Sequence, residues 1–359
     1  MPDISAQRLS QQRLSQGQFA NPAEAVAWLG AVQAQDFLYA LWAVGLRVQN
    51  STQESIERAI AEKSILRTWA MRGTLHFLAS ADAHSLLALL LPSNLSRGAS
   101  NHRRVGLDEA TFSKSNAILQ KTLQGGQRLE RKDLVAALKG NGIAIDDNRF
   151  LFLVHRAAVE GLICFGPRRG KQVTFTLLDE WLPPSHPFSH DDTLASLALR
   201  YFTGHAPAAL KDFTWWSGLP AAEARSGLEM VKSQLISHTL GDQTFWLPAN
   251  LPADPPAPDS VVLLPDFDEF IVGYADRSAA VPPALLPLMT AREGVFSPAI
   301  LLNAQIAGIW RRTLVKNAVS LSLTPFAPLT PAQSDALSAA VARFAAFLGL
   351  LPVIDDHSH

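Results

Sequence analysis

The predicted elements of this chain repeat in order: helices are followed by a β-hairpin three times. Two β-rich runs at residues 64–71 and 74–78 meet at Arg72-Gly73 and form the first hairpin. The other two hairpins are predicted over residues 162–177 and 234–247. The helices that precede the hairpins are predicted over residues 6–14, 22–30, 51–60, 108–119, 129–138, 148–160, 193–202, 207–216 and 221–231. Helices followed by a hairpin indicate a winged helix.

A proline-rich stretch separates these repeats from the rest of the chain. Residues 248–259 contain five prolines, which predicts a stiff extended linker. Strands are then predicted over residues 261–264, 295–302, 305–310 and 318–323, with a closing helix from Pro331. The expected fold class is α+β, mainly α. Its units are winged helix 1 (1–92), winged helix 2 (93–182), winged helix 3 (183–247), the linker (248–259) and a small C-terminal α+β sheet or barrel domain (260–359).

Composition excludes several classes of protein. The 359 residues are 48% hydrophobic and 18% charged, which suits packed cores and not a disordered chain. Cys164 is the single cysteine, so neither an internal disulfide nor a cysteine-based zinc site can form. The N-terminus lacks the apolar core of a signal peptide, and the apolar run at 86–91 is too short to span a bilayer. We therefore expect a cytoplasmic protein without a membrane contact, and we expect it to be a monomer.

Two neutral amides flank one small residue at Gln33-Ala34-Gln35. In an extended segment, residues two apart point to the same side, so both amides could hold one water molecule. The alternative is that they satisfy backbone groups where a helix ends. Asp36 follows directly and could add a carboxylate. His76, on a predicted strand, would face Gln33 if the hairpin folds back, although a lone histidine there is usually a packed residue.

Acidic residues cluster at Asp266, Asp268 and Glu269, which allows a metal-site interpretation. The cluster borders a buried strand and contains no histidine. Helix capping, or pairing with Arg277, is the favoured interpretation. We expect no metal and no cofactor.

The net charge of −1 gives no overall sign of nucleic-acid binding, but basic residues are clustered. Arg168 and Arg169 lie in a Gly-rich turn, from which side chains can reach phosphates. Any single cluster can also be a plain solvated surface. Four of them predict one shared basic face: residues 102–104, 128–132, 168–171 and 311–316.

Several sequence blocks resemble the AlkZ-like family of winged-helix DNA glycosylases. The blocks cover about residues 5–349 in the family's order. They are Gln33-Ala-Gln35, Arg67-Thr-Trp-Ala-Met-Arg-Gly-Thr-Leu-His76, Asp212-Phe-Thr-Trp-Trp-Ser-Gly-Leu219, Leu264-Pro-Asp-Phe-Asp268, Tyr274-Ala-Asp-Arg-Ser278 and Gly308-Ile-Trp-Arg311. The resemblance implies tandem winged helices around a basic channel for double-stranded DNA. It also implies removal of alkylated purines, including crosslinks between strands.

The resemblance also implies specific roles for residues. Gln33 and Gln35 match the family's catalytic motif, in which a sister branch has Asp at the last position. Asp36 and His76 are the candidate supporting residues. Asn303-Ala304 departs from the acidic-glycine pair expected in its turn. The expected DNA contacts are Arg67, Arg72, Arg103, Arg104, Arg168, Arg169, Lys171, Arg311 and Arg312.

Two glutamines suffice for this chemistry if the lesion is cationic. An N7-alkylated purine already carries positive charge and can leave without a general acid. The oxocarbenium-like transition state then needs electrostatic stabilisation and a positioned water. The sequence therefore predicts a DNA glycosylase for N7-alkylated purines, acting at the nucleoid. The alternatives are a non-catalytic winged-helix DNA-binding protein, such as a transcription regulator, and a small-molecule hydrolase.

Overall fold

The computed structural model describes residues 3–14, 17–182, 188–250, 258–291 and 295–354. The first part of the chain ends in the predicted hairpin at Arg72-Gly73. Its elements are α1 (Ile4–Gln11), α2 (Pro22–Leu29), β1 (Val32–Gln33), α3 (Phe37–Gly45), α4 (Gln53–Ala61), β2 (Ile65–Trp69) and β3 (Leu75–Ala79). Helix α2 begins where the sequence predicts, because the Asn21 side chain accepts a hydrogen bond from the Glu24 backbone N–H at 3.0 Å.

A long helix that the sequence patterns did not predict opens the second part. Helix α5 (Ala83–Arg104) continues through Pro92, a residue that usually ends a helix. Beyond the proline, the Asn94 side chain donates to the Ala70 carbonyl at 2.9 Å and anchors the second half of the helix to the first hairpin. The elements that follow are α6 (Glu109–Leu123), β4 (Leu129–Glu130), α7 (Arg131–Gly140), α8 (Asp147–Val159), β5 (Ile163–Arg169), β6 (Gln172–Leu177) and α9 (Leu178–Trp181).

The third hairpin and the C-terminal sheet complete the fold. The predicted linker falls largely on residues 251–257, outside the described residues. The stretch predicted as one strand at 295–302 is two separate strands. The remaining elements are α10 (His190–Gly204), β7 (Ala208–Ala209), α11 (Leu210–Ser217), α12 (Ala221–Val231), β8 (Leu235–Leu240), β9 (Gln243–Pro248), β10 (Val261–Leu264), α13 (Glu269–Val272), α14 (Leu286–Met289), β11 (Thr290–Ala291), β12 (Val295–Phe296), β13 (Ala299–Leu302), β14 (Gln305–Val315), β15 (Ala318–Pro325), α15 (Pro331–Leu348) and β16 (Leu351–Ile354).

The first two hairpins share one sheet, in the order β1-β3-β2-β5-β6-β4. Strand β2 meets β5 where Arg67 lies opposite Phe165. The third hairpin forms a smaller sheet, β7-β9-β8, and the C-terminal strands are ordered β10-β13-β14-β15-β16. In the C-terminal sheet, Asn303 and Ala304 both have positive φ in the tight β13–β14 turn. Asparagine tolerates that conformation better than alanine does.

The main hydrophobic core joins the beginning of the chain to its end. Trp42 of α3 packs edge-on against Phe344 of α15, with ring centroids 5.1 Å apart. Its indole N–H donates to the Leu263 carbonyl at 2.7 Å. The Trp310 indole donates to the neighbouring Leu264 carbonyl, also at 2.7 Å. Strand β10 is therefore held by tryptophans from two remote parts of the chain.

A buried ion pair strengthens the same junction. Both Arg47 and Asp268 are fully buried, and their two hydrogen bonds are each 2.9 Å long. Gln12 and the Ala43 carbonyl accept further hydrogen bonds from the guanidinium. Asp268 also caps α13 by accepting from the Phe270 N–H at 2.9 Å. The expected capping role of this acidic cluster is thus observed, whereas the partner of Asp268 is Arg47 and not Arg277.

Removing Asp268 should strongly destabilise the fold. Asp268→Ala leaves the Arg47 charge buried without its carboxylate, which typically costs about 3–5 kcal/mol in the free energy of unfolding. Urea denaturation measures this loss. The control, Glu229→Ala, removes the surface partner of Lys232 at 3.0 Å and should cost less than about 1 kcal/mol. An equal, small loss in both variants would contradict the structural role of the buried pair.

Candidate active site

The segment Gln33-Ala34-Gln35 lies along the edge of the first hairpin. Gln33 lies opposite His76 in the β1–β3 ladder. The Ala34 N–H donates to the Leu75 carbonyl at 2.7 Å. The Ala34 carbonyl in turn accepts from the Arg67 Nε and Nη2 at 3.0 and 2.7 Å. These hydrogen bonds fix the backbone between the two glutamines.

The amide of Gln33 is held in one orientation. The side chain is only 7% exposed, and its Oε1 accepts from Arg72 Nη2 at 2.9 Å. A guanidinium can only donate, so the oxygen must face Arg72 and the nitrogen is left for another partner. Arg72 also donates to the Trp216 carbonyl through Nη1. The contact thus links Gln33 to helix α11.

The turn that carries Arg72 is strained and closely packed. Arg72 has φ 56°, a left-handed value that costs a non-glycine residue on the order of 1 kcal/mol or more. Gly218, which ends α11 at φ 72°, packs against this turn. A Cβ at Gly218 would lie 3.1 Å from both the Cγ and the backbone nitrogen of Arg72. Glycine therefore allows the close approach that directs the guanidinium to Gln33.

Gln35 lies at the surface, unlike Gln33. Its Oε1 accepts a long hydrogen bond, 3.4 Å, from the Leu75 N–H. The next residue, Asp36, is also exposed and caps α3 by accepting from the Tyr39 N–H at 3.0 Å. The same Asp36 carboxylate lies 3.9 Å from Arg312 Nη2. Both amide oxygens thus contact the first hairpin, while Gln35 and Asp36 face solvent.

The buried carboxylate of Glu269 binds the backbone of the Gln33-Ala34-Gln35 segment. Glu269 Oε1 accepts from the Gln33 N–H at 2.8 Å, and its Oε2 accepts from the Trp216 indole at 2.8 Å. His205 Nε2 lies 3.4 Å from the same Oε2. Burial would raise the pKa of Glu269, but the hydrogen bonds and charges around it, those of His205 foremost, outweigh burial and lower that pKa. Glu269 is therefore ionised at neutral pH and holds the backbone of Gln33.

His76 lies in the same buried layer and is neutral. Its Nδ1 is 2.9 Å from the Thr74 carbonyl, so Nδ1 carries the proton. Within the described residues, its buried Nε2 has no hydrogen-bond partner. Burial, reinforced by the charge of Arg72, lowers the pKa of His76 to about 4. The expectation that His76 faces the Gln33 segment agrees with the ladder, but its ring is fully enclosed.

The other predicted residues are divided between interior and surface. Arg67 lies inside, 7% exposed, with its guanidinium 4.9 Å from the Phe165 ring centroid and 5.5 Å from that of Phe37. The Nε and Nη2 of Arg67 are used on the glutamine segment, and a contact of Arg67 with a DNA phosphate stays a prediction. Arg312 is also largely enclosed, over the Tyr39 ring at 4.4 Å. The exposed members of the set are Arg103, Arg104, Arg169, Lys171 and Arg311, and Arg72 and Arg168 are partly buried.

The local sequence patterns did not reveal the residues that orient Gln33. Glu269 and Trp216 are 236 and 183 positions away, so no local pattern connects them with it. Each nevertheless lies within or beside a block that resembles the family. Asp268 and Glu269 are both used by protein groups. Among the described residues, no group of three or more His, Cys, Asp or Glu side chains could hold a metal ion.

Asp266 forms an electrostatic cluster with Asp36 and Arg312. Its buried Oδ1 finds no hydrogen-bond partner within the part of the chain that the structure describes. Burial first, and then the charge of Asp36, raise the pKa of Asp266 to about 7, although Arg312 opposes the shift. The next residue, Phe267, has the strained φ of 54°. A carboxyl group that titrates near neutrality therefore lies beside the residue that follows the glutamine motif.

Comparisons with known proteins agree on one family. A family profile described as "DNA glycosylase AlkZ-like" matches residues 26–347. A curated relative from Streptomyces sahachiroi, named "Interstrand DNA cross-link repair glycosylase", is 25% identical across 98% of this chain and 97% of its own length. The solved structure of the Streptomyces sahachiroi DNA glycosylase AlkZ superposes with a TM-score of 0.80 at 22% identity, covering 98% of both chains. Among the described residues, no helix is long and apolar enough to cross a membrane.

The raised pKa of Asp266 predicts a pH-dependent stability. The folded-state pKa of Asp266 lies above the unfolded value of about 4. Its contribution to the free energy of unfolding is therefore fully present below pH about 4 and is lost as the pH rises through about 7. The variant Asp266→Asn lacks this titration. Its free energy of unfolding relative to wild type should therefore rise by about 2 kcal/mol between pH 5 and pH 8.5. This figure takes about 1.4 kcal/mol per pKa unit and is reduced because the side chain is partly exposed. Urea denaturation at both pH values tests this.

The control for this measurement is Asp335→Asn, at an exposed position on α15. It should follow the wild-type profile, because its carboxylate lies in water. A constant offset between Asp266→Asn and wild type at both pH values would contradict the buried-carboxyl interpretation.

Proposed function

The chain belongs to the AlkZ-like family of DNA glycosylases, which hydrolyse N-glycosidic bonds, and we propose that its substrates are N7-alkylated purines in double-stranded DNA. We propose further that these include crosslinks between strands, as the name of the Streptomyces relative suggests. In this proposal the helix–hairpin units act as winged helices, and the enzyme works as a monomer in the cytoplasm.

The two ionisable groups that lie against Gln33, Glu269 and His76, carry the preference for cationic lesions. Of the ionisable groups that contact the Gln33 backbone, Glu269 is ionised and its oxygens are already used. His76, opposite Gln33, is neutral because burial depresses its pKa. Neither can protonate a departing base at neutral pH. A neutral purine would need such a proton, whereas an N7-alkylated purine does not.

The proposed reaction breaks the bond between C1′ and the base nitrogen. The bonding electron pair leaves with the cationic purine and neutralises it, so the sugar becomes oxocarbenium-like. Water adds to C1′ and releases one proton to solvent. The Gln33 nitrogen and the Gln35 amide hold this water, and the exposed Asp36 carboxylate adds negative charge nearby. His76 supports the segment through packing and takes no proton.

The exposure of the site supports crosslinks as substrates. Gln35 and Asp36 lie at the protein surface and not inside a closed cavity. Extruding a base into a pocket is a common solution for enzymes that act on single bases. A base that is covalently joined to the opposite strand cannot be extruded in this way. A surface site can act on it in place.

Gln35→Ala should reduce excision of N7-methylguanine about 100-fold or more. The amide is exposed, so little folding energy is lost, but an oriented contact to the water disappears. Gln35→Asp should keep activity, because a carboxylate can both orient water and stabilise the cation. Single-turnover excision, read out as alkali-labile sites in DNA, measures both variants.

The matched control is Gln120→Ala, which removes an exposed amide from α6. It should cut at the wild-type rate with unchanged DNA affinity. Wild-type excision by Gln35→Ala would make the glutamines structural. If wild-type protein binds this DNA but releases no base, a non-catalytic DNA-binding role is favoured instead.

The turn between β5 and β6 should contact DNA phosphates. Arg169 and Lys171 are exposed there, around Gly170 at φ 59°, with Arg168 partly buried beside them. Replacing all three with Gln should weaken binding to every DNA sequence and lower the salt slope by about 0.9 per lost phosphate contact. Fluorescence anisotropy between 50 and 200 mM salt measures both quantities.

The control is Arg131→Gln with Lys132→Gln, in which the altered cations already pair with Asp147 and Glu130. These substitutions should change the slope less than the turn variant does. An unchanged slope in the turn variant would show that the turn faces away from DNA.

A further inference from the structure

Helix α11 presents two adjacent tryptophans to opposite environments. Trp216 is fully buried and donates to Glu269. Trp215 is 45% exposed, although its indole N–H is already used on the Val272 carbonyl at 3.3 Å. The polar atom of Trp215 is thus bound within the protein, while much of its apolar ring faces solvent. Packing does not require so large an exposed aromatic surface.

Two guanidinium groups flank this exposed ring. Arg72 Cζ lies 5.8 Å and Arg277 Cζ 5.5 Å from the Trp215 ring centroid. Arg277 is fixed by its Nε, which donates to the Ile271 carbonyl at 3.0 Å. Arg72 is the same side chain that orients the amide of Gln33. One arginine therefore joins Trp215 to the proposed catalytic segment.

A third arginine extends the positive surface. Arg97 is exposed and donates to the Gly218 carbonyl, which follows α11, at 2.7 Å. Among the described residues, no carboxylate lies within 4.0 Å of the guanidinium nitrogens of Arg72, Arg97 or Arg277. Burial lowers the pKa of Arg72, and the charges of Arg277 and Arg97 lower it further, although the Glu269 carboxylate opposes the shift. Two guanidinium groups without a directly paired carboxylate thus flank the exposed ring, and Arg97 lies at the end of the same helix.

We propose that Trp215 stacks on a DNA base that leaves the helical stack beside the lesion, while Arg97 and Arg277 bind the flanking phosphates. An indole face next to guanidinium groups is the combination that binds unstacked nucleotides, because every base offers a π-face and every linkage an anion. This inference rests on the proposed function, since it places the opened duplex at Gln33. It makes Trp215 and Arg277 substrate-binding residues.

The test compares binding to two duplexes of equal length. One is fully paired, and the other carries a single unpaired 2-aminopurine, whose fluorescence falls when it stacks. Trp215→Ala should bind the unpaired duplex about tenfold or more weakly, leave the paired duplex nearly unchanged and abolish the quenching. Trp215→Phe should retain most of the preference and the quenching, because a phenyl ring still stacks. Arg277→Gln should lower the salt slope on both duplexes.

Met230→Ala is the matched control, since it removes another exposed apolar side chain, from the neighbouring α12. It should behave as wild type. Three results would overturn the proposal: an unchanged preference in Trp215→Ala, an equal loss on both duplexes, or equal losses in Trp215→Phe and Trp215→Ala. The last would assign Trp215 a structural role through its N–H.

These binding measurements do not depend on catalysis. Gln35→Ala should keep the preference for the unpaired duplex even though excision is lost. Wild-type protein that shows the preference without releasing N7-methylguanine would contradict the proposed substrate and leave the Trp215 inference supported. Wild-type protein that excises N7-methylguanine but shows no preference for the unpaired duplex would support the proposed substrate and contradict the Trp215 inference.

Discussion

Two adjacent buried carboxylates at the start of α13 connect the C-terminal part of the chain to the first part and to helix α11. Asp268 binds Arg47 from the end of the first helical region, and Glu269 binds the Gln33 N–H and the Trp216 indole. Burying a charge is costly unless it is paired or hydrogen-bonded; Asp268 is paired with Arg47, and Glu269 is hydrogen-bonded by the Gln33 N–H and the Trp216 indole. The C-terminal part of the chain therefore cannot shift without disturbing the segment that carries the glutamines.

The same arrangement determines what the site can do. Glu269 uses its charge to hold a backbone, and His76 is kept neutral by burial. Arg72 uses its donors on the oxygen of Gln33 and the carbonyl of Trp216. Glu269 and His76 thus position the Gln33 segment, and neither can give a proton to a base at neutral pH. This arrangement is consistent with the proposed preference for a leaving group that already carries positive charge.

The order of elements could be predicted from the sequence because its signals are local. Asn21 caps α2, Asp108 caps α6, and the glycine-containing turns close the hairpins. Long-range contacts explain what was missed. Helix α5 continues through Pro92, with Asn94 bonded to the Ala70 carbonyl, and the first two hairpins pair where Arg67 lies opposite Phe165. Neither contact leaves a periodic signal in the chain.

The sequence alone determined the helix–hairpin order and placed the two glutamines two residues apart after a helix, because caps, turns and spacing act over a few residues. It also carried the blocks that mark the family. Only the tertiary structure decided that Gln33 is buried and oriented while Gln35 is exposed. It likewise turned Arg67 inward and brought Trp215 beside Arg72. These outcomes depend on which donors and charges from remote parts of the chain come into contact. Burial strengthens those hydrogen bonds and charge interactions because it lowers the local dielectric constant.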